Sequence, residues 1–516
     1  MRPEPAQPRL LHPLALLFAL AVGGTAQAQT FRIQPTLNAQ LTWTDNVDVE
    51  DADPQQDWIL ELSPGVSMVR ESGRLKGALD LRLRSLNHVE RTEENTTYLA
   101  LNGRGSFEAI ENSVFVDVDG SISRDNQSSF RGRLPGDALD YDEDNEVRVF
   151  SVAPRFVFPF GAAGQGQVSY RERWLDSGSS SEGSGGGSAG SSGLGDQQSR
   201  TLGVGLSDPA ALRLFGWGLD YSRSETRYDE RATRDVEQEV ARGTLFINLD
   251  PQFRLRAIGG YESNDYAIAD GESGQIWGGG FDWYPTERTA ISATGERRIF
   301  GNGYDLSLRH RMARSAFSLT ARRDISSLAD EIADGFMFDP AYQVLYQALT
   351  SLRPDLSELE RSRLALEAYR NGSRDAVRSN AYYVQRSVGA SWTIDGVRNT
   401  LTLSVQRSDR NSLDTLSGFR FGGELENYDR VSTRSASVSF SHRLSGFSTL
   451  TAGYVQSKST GTGEESDETR RSTARLGISR RLGANTNGGL TYRHTRSQGS
   501  DDYTENAVTA TLGMQF

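Results

Sequence analysis

Nine arginines, Arg82, Arg84, Arg254, Arg256, Arg309, Arg311, Arg322, Arg475 and Arg493, sit on the polar phase of segments whose other phase is apolar. A guanidinium carries its N–H donors in a fixed planar fork. Several of them along one wall would offer carboxylates or phosphates a succession of weak sites, which is the chemistry of an anion pathway. The same residues would also serve as the basic half of a balanced polar interior, with Asp80, Asp117, Asp119, Asp305 and Glu262 as the acidic half. The five histidines say less. His12 falls in an N-terminal leader, His310 and His442 share the phase of Leu308 and Phe440, and no HExxH, HxxxH or His/Asp cluster occurs. No metal and no cofactor are expected, and no catalytic residue is assigned. His88 with Glu90, and His494 with Asp501, are the pairs that a hydrolase at a barrel rim would use; otherwise they are interfacial or solvated side chains.

Period-two segments must position the arginines. Leu79, Leu81 and Leu83 alternate with Asp80, Arg82 and Arg84; Leu306 and Leu308 with Asp305, Arg309 and Arg311; Leu476 and Ile478 with Arg475, Ser479 and Arg481. About 22 such strands can be drawn. Their connections alternate short and long. Tight Gly, Pro and Asp turns fall at Glu71 to Gly73, Ile110 to Asn112, Gly161 to Gly164, Asp208 to Ala211, Asp250 to Gln252, Pro285 to Glu287, Asp395 to Val397, Leu444 to Gly446 and Leu482 to Ala484. Between them lie the longer connections Asp45 to Asp57, Asn126 to Asn145, Asp176 to Gln198, Thr226 to Asp235, Asn264 to Ser273, Asn411 to Tyr428 and Lys458 to Thr469. Short turns on one rim and long loops on the other are the pattern of a transmembrane antiparallel β-barrel whose termini lie at the periplasmic rim.

The ends of the chain fit that architecture. Residues 1–28 read as a signal peptide, with Arg2 and Arg9, an apolar run from Leu14 to Val22, and Ala26-Gln27-Ala28 as the cleavage site. The barrel is expected over residues 29–516. At the C-terminus Val508, Ala510, Leu512, Met514 and Phe516 share one face. Leu512, Met514 and Phe516 are expected to act as the barrel-assembly signal, presenting the last strand to the assembly machinery. Trp43, Trp58, Trp174, Trp217, Trp277, Trp283 and Trp392 are expected as girdle anchors in outer-membrane lipid.

Composition narrows the classes further. With 36% hydrophobic residues and 53 glycines, a chain of 516 residues is poorly supplied for a large dry core, but well supplied for a barrel that turns apolar residues outward only. The net charge of -12 argues against nucleic acid as a partner. The absence of cysteine removes any disulfide framework or lipid-anchored N-terminal Cys. Two connections differ from the rest. Residues 177–195 are almost pure Gly and Ser, the composition of a disordered loop. Ser326 to Asn380 carries helical periodicity, with Asp339-Pro340 ahead of Ala341, Val344, Leu345 and Leu349, and Asp355 and Glu358 opening a second run with Leu356, Leu364 and Leu366. This helical insert is a candidate constriction of the lumen or a cover packed over its mouth.

The run FRIQPTLNAQLTWTDNVDV from Phe31 to Val49, and VRNTLTLSVQR from Val397 to Arg407 after the insert, resemble the corresponding stretches of the β-barrel porins associated with the PEP-CTERM system. That resemblance implies an outer-membrane barrel in bacteria that make exopolysaccharide and sort surface proteins, with a role in export and no catalytic residues. The reading that follows is a porin-like channel for exopolysaccharide or anionic solutes. A surface-display or adhesive barrel is the alternative, and an outer-membrane hydrolase stands behind both. A TonB-dependent transporter also has 22 strands, but it needs an N-terminal plug, and here the strand pattern begins almost at Phe31.

Overall fold

The computed structural model describes residues 32–70, 72–125, 130, 145–161, 164–178, 196–228, 235–265, 272–326, 382–413, 428–463, 466–500 and 502–516. The leader 1–28, the Gly/Ser stretch beyond Gly178, the insert beyond Ser326 and Asp501 lie outside the described residues.

The strands are β1 (Arg32–Thr44), β2 (Asp57–Arg70), β3 (Leu75–His88), β4 (Thr96–Ile110), β5 (Val114–Asp125), β6 (Asn145–Pro159), β7 (Gln165–Gly178) and β8 (Gln197–Asp208). They continue with β9 (Phe215–Tyr228), β10 (Val236–Asp250), β11 (Phe253–Asn264), β12 (Glu272–Thr286), β13 (Thr289–Arg298), β14 (Gly301–Arg311) and β15 (Ser315–Ser326). The last seven are β16 (Tyr383–Asp395), β17 (Asn399–Ser412), β18 (Tyr428–Arg443), β19 (Ser448–Gly463), β20 (Ser466–Arg481), β21 (Thr486–Gly499) and β22 (Tyr503–Gln515). Among the described residues the only helical element is a 3₁₀ turn, Thr92–Glu94.

All 22 strands form one antiparallel sheet in which each pairs with its chain neighbours. The sheet closes where β1 pairs with β22, from Thr36 opposite Gln515 to Thr44 opposite Ala507. The Phe516 N–H donates to the Pro35 carbonyl (3.0 Å) at one end of this seam, and the Asp45 N–H donates to the Asn506 carbonyl (3.1 Å) at the other. Closure leaves no edge strand, which is the condition for spanning lipid with strands.

The two rims differ as the connection lengths require. The tight connections read from the sequence, and one at Met312 to Arg314 that the sequence reading passed over, lie at the rim where β1 begins and β22 ends, although the other rim also has short connections, from Arg298 to Gly301, Gly463 to Ser466 and Gly499 to Tyr503. Asp208, Asp250, Thr286 and Ser445 accept backbone N–H groups two residues on (3.0, 2.7, 3.2 and 3.1 Å), the local side-chain turns that let a chain reverse in few residues. Gly164 has φ +135, and a Cβ there would meet the Ser207 carbonyl oxygen at 2.5 Å, so only glycine fits that turn. At the other rim the stretch Lys458 to Thr469 is not a long loop. β19 and β20 run through it as a ladder to Gly463 and Ser466. Its alternating Ser, Thr and Gly residues pair well as strand despite their loop-like composition.

Outward positions carry the expected apolar phase. Leu37 and Leu41 of β1, Leu60 and Leu62 of β2, and Leu476 and Ile478 of β20 are exposed, as are Leu512 and Phe516. The strand register puts all seven tryptophans on this face in two belts. Trp43, Trp58, Trp174 and Trp277 lie toward the long-loop end of their strands, whereas Trp217, Trp283 and Trp392 lie toward the short-turn end. Near Trp217 the belt is continuous, with Phe156, Phe158, Phe160 and Trp217 in successive ring contact at 5.1, 6.3 and 6.0 Å. Two aromatic belts bounding an apolar outer face define a membrane-spanning barrel, and a closed barrel of this kind is an outer-membrane protein.

The interior departs from the expectation of apolar residues outward only. Ile59, Leu86, Val147, Leu175, Ile276 and Val431 point inward and are almost completely buried. Each lies within five residues of the long-loop end of its strand. Above the membrane the inward face is covered by protein instead of lumen water, so small apolar clusters are favourable there. One such cluster joins Ile59, Leu86, Tyr98 and Tyr503 to Val47 from the connection between β1 and β2.

Candidate functional site

The register places all nine arginines named from the sequence on the inward phase, in four groups around the wall. On β3, Arg84 is bidentate to Glu61 (2.8 and 2.6 Å) and lies over the Tyr98 ring, whereas Arg82 pairs with Asp80 (2.8 Å) with two-fifths of each side chain exposed. On β11, Arg256 reaches Asp282 (3.3 Å) and Ser292 (3.0 Å), and Arg254 lies over Phe246. On β14 and β15, Arg309 and Arg311 border a shallow cavity of about 430 Å³ at the short-turn rim, and Arg322 pairs with Asp324 (3.1 Å) while 62% exposed. On β20 and β21, Arg475 stands directly opposite Arg493, which is bidentate to Glu505 (3.2 and 2.5 Å). The nine therefore do not converge on one point.

Sequence reasoning missed several equivalents. Arg298 sits between Glu262 (2.5 Å) and Asp324 (2.6 Å), and Glu262 also accepts the Ile299 N–H (2.7 Å). Arg298 is 6% exposed and Glu262 1%, so this is a buried ion cluster in which nearly every charge has a partner. Arg104, Arg173, Arg242, Arg410 and Arg471 also hold inward positions. Strand phase alone would have found them; they were passed over because none has a leucine beside it to mark the apolar phase.

A different wall lies between the charged sectors. From β16 to β19 the inward residues are mostly hydroxyls, joined across strands as Ser404 to Ser437 (2.6 Å), Thr393 to Thr402 (3.3 Å) and Thr433 to Ser459 (3.4 Å), with Ser318 to Ser391 (3.0 Å) beside them. The cross-section thus combines arginine-rich sectors with a neutral polar one.

At the long-loop mouth the two sides of the barrel touch. Phe130, from the connection between β5 and β6, packs against Tyr428 (ring centroids 5.0 Å), Tyr383 and Val431 on the far side of the ring. Gly461 of β19 makes room for it, since a Cβ there would come within 2.8 Å of both the Phe130 and the Tyr428 rings. Arg471 donates to the Phe130 carbonyl (3.5 Å) and to the Tyr503 hydroxyl (3.1 Å), and the Tyr428 hydroxyl donates to Asp467. A second bridge joins Tyr228 and Val236 to Ile325, Tyr382 and Leu413. There the Tyr382 hydroxyl donates to Thr226 Oγ1 (3.4 Å).

Of the two histidine pairs that the hydrolase reading names, only His88 with Glu90 can be described, since Asp501 lies outside the described residues. His88 is buried at the end of β3 and bonds Asp57 through Nδ1 (2.9 Å), while Glu90 contributes its backbone N–H to the same aspartate (3.0 Å). His494 faces outward and bonds Asn506 (2.9 Å). His310 bonds Thr289 (2.8 Å) on the outer face near the short-turn rim. Among the described residues no three His, Cys, Asp or Glu side chains converge as metal ligands do.

With this geometry the chain is an outer-membrane β-barrel. No protein-family model matches its sequence, and no curated protein matches it. It is similar in structure to the siderophore receptor PirA from Acinetobacter baumannii, at TM-score 0.51 and 8% identity, over 95% of this chain and 81% of the receptor. It is also similar to PirA from Pseudomonas aeruginosa (TM-score 0.48, 8% identity, 95% and 82%) and to the FrpB iron transporter from Neisseria meningitidis (TM-score 0.48, 9% identity, 94% and 82%). Identity this low speaks to the fold alone.

Proposed function

We propose that this barrel is a porin-like channel for anionic material, with a lumen left hydrated toward the periplasm and narrowed at its outer mouth. The observation that carries the reading is the contrast within one set of inward arginines. Arg84, Arg298 and Arg493 are neutralised in buried pairs, whereas Arg82 and Arg322 keep much of their surface in water. Hydrated, half-paired guanidinium groups can exchange one anionic partner for another, and buried bidentate pairs cannot. The hydroxyl wall would suit a sugar polymer sliding past without tight binding. Exopolysaccharide is therefore the favoured cargo among anionic solutes, in line with the resemblance to PEP-CTERM-associated barrels. The packed outer mouth favours a second reading, in which the barrel chiefly displays its outer connections.

Planar-bilayer conductance under a salt gradient separates the two. The channel reading expects a small anion-selective current from the intact protein and a larger one after Phe130→Ala. Current absent from both forms, in protein shown to be folded by its heat-modifiable migration, would remove the channel and leave display.

A further inference from the structure

Outside the barrel, above the lipid-facing apolar rows, the strand extensions carry charge, and the two sides handle it differently. On β6 to β9 the outward arginines are matched by acids, as in Arg148 with Glu146 (2.6 Å), Arg200 with Glu172 (3.1 Å) and Arg223 with Glu237 of β10 (3.1 Å). On β17 to β20 the register instead lines up four cations across adjacent strands: Arg407 opposite Arg434, Arg434 opposite Lys458, and Lys458 opposite Arg470. Asp409 serves Arg407 (2.8 Å), and Glu468 serves Lys458 (2.7 Å) and Arg470 (3.0 Å). Arg434, exposed in the middle of the row, has no ion pair or hydrogen bond among the described residues.

Like charges directly opposite one another destabilise a sheet unless a counter-charge sits between them. Here the row lies on the long-loop side of the apolar part of the outer face. Val405 of β17 lies two residues below Arg407, and Val438 and Tyr454 lie four residues below Arg434 and Lys458, all exposed on the outer face. At roughly 3.3 Å per residue along strands tilted by about 40°, the cations stand about 5 to 10 Å above the first apolar side chains, at the level of a lipid's charged headgroup above the start of its acyl region.

We propose that the Arg407, Arg434, Lys458 and Arg470 row is a docking site for the phosphate groups of an anionic outer-leaflet lipid, whose acyl chains lie along Val405, Val438 and Tyr454. Arg434 supplies the unmatched charge, and its neighbours share their acids with the incoming phosphate. The site needs only that the barrel sits in the membrane, and it holds whether or not the lumen conducts.

The test is binding of a bis-phosphorylated glycolipid, lipid A, to the full-length barrel in mixed micelles, compared with the same lipid after phosphate removal. Native mass spectrometry counts the bound lipid. Wild type should prefer the phosphorylated form. The triple variant Arg407→Gln, Arg434→Gln, Lys458→Gln should lose about a hundredfold in that preference. The matched control Arg148→Gln, Arg200→Gln, Arg223→Gln should keep it. Heat-modifiable migration verifies that each variant is folded, and the comparison of the two lipids on wild type needs no variant at all. Equal binding of the dephosphorylated lipid, equal loss in the control, or displacement by millimolar inorganic phosphate alone would each overturn the proposal.

Discussion

At the long-loop ends of the strands the inward residues include Ile59, Leu86, Val147 and Leu175, and almost nothing of them reaches water. Lower on the same strands the inward phase carries Ser67, Asp80, Arg155 and Gln167, which are partly or fully solvated. Phase is the same in both regions and packing is opposite. An inward position in a barrel is thus not one environment. Below, it faces a hydrated lumen; above, it faces side chains that cross the mouth, and there it follows the rules of a globular core.

The comparison can be broken most forcefully at Arg298. Arg298→Ala strands Glu262 in a site 1% exposed, and a buried charge that loses its partner costs about 3–5 kcal/mol. The urea midpoint of the folded barrel should fall accordingly, whereas Arg82→Ala, in a pair with both members two-fifths exposed, should cost no more than about 1 kcal/mol. Equal losses would mean that the two regions are not distinct.

Next in size is Gly461→Leu, which fills the space that Phe130 occupies. It should raise conductance as Phe130→Ala does, with Tyr428 fluorescence reporting the lost ring contact. A change in conductance for one variant and not the other would show that the mouth is held elsewhere. A third test separates solvation from height, because Arg322 lies four residues from the long-loop end of β15 and still stays in water. Arg322→Glu reverses a charge that is 62% exposed, so it should move the reversal potential toward cation selectivity while leaving the unfolding free energy within about 0.5 kcal/mol of wild type. The smallest effect belongs to the hydroxyl wall. Ser404→Ala removes one of two hydroxyls 2.6 Å apart, and should cost about 1 kcal/mol in unfolding with no change in selectivity.

The lower region was the more legible of the two in the sequence. Strand phase there is set by lipid on one side and water on the other, so Leu306 and Leu308 against Asp305 and Arg309 declare their faces within a few residues. The ladder through Lys458 to Thr469 was hidden because Ser, Thr and Gly are common to loops and to strands that need no apolar face. The mouth was hidden for another reason. Phe130 is one of two aromatics in a mostly polar connection, and its partners Tyr428 and Arg471 are about 300 residues away or more in the chain. Arg298 was passed over because its value lies in Glu262 and Asp324, each two strands away in the sheet.

The seam between β1 and β22 bears on how the molecule is made. Every other pairing in the ring joins strands adjacent in the chain, so hairpins can form and add one to the next at small loop-closure cost. The seam brings Thr42 to Thr509, 467 residues apart, in a single contact. It is the one strand pairing with high contact order, and until it is made both β1 and β22 present bare edges to the lipid or to other chains. Barrel assembly should therefore show a late, single kinetic phase whose rate responds to changes at Thr42, Asp45 or Asn506 and is indifferent to changes in any interior hairpin.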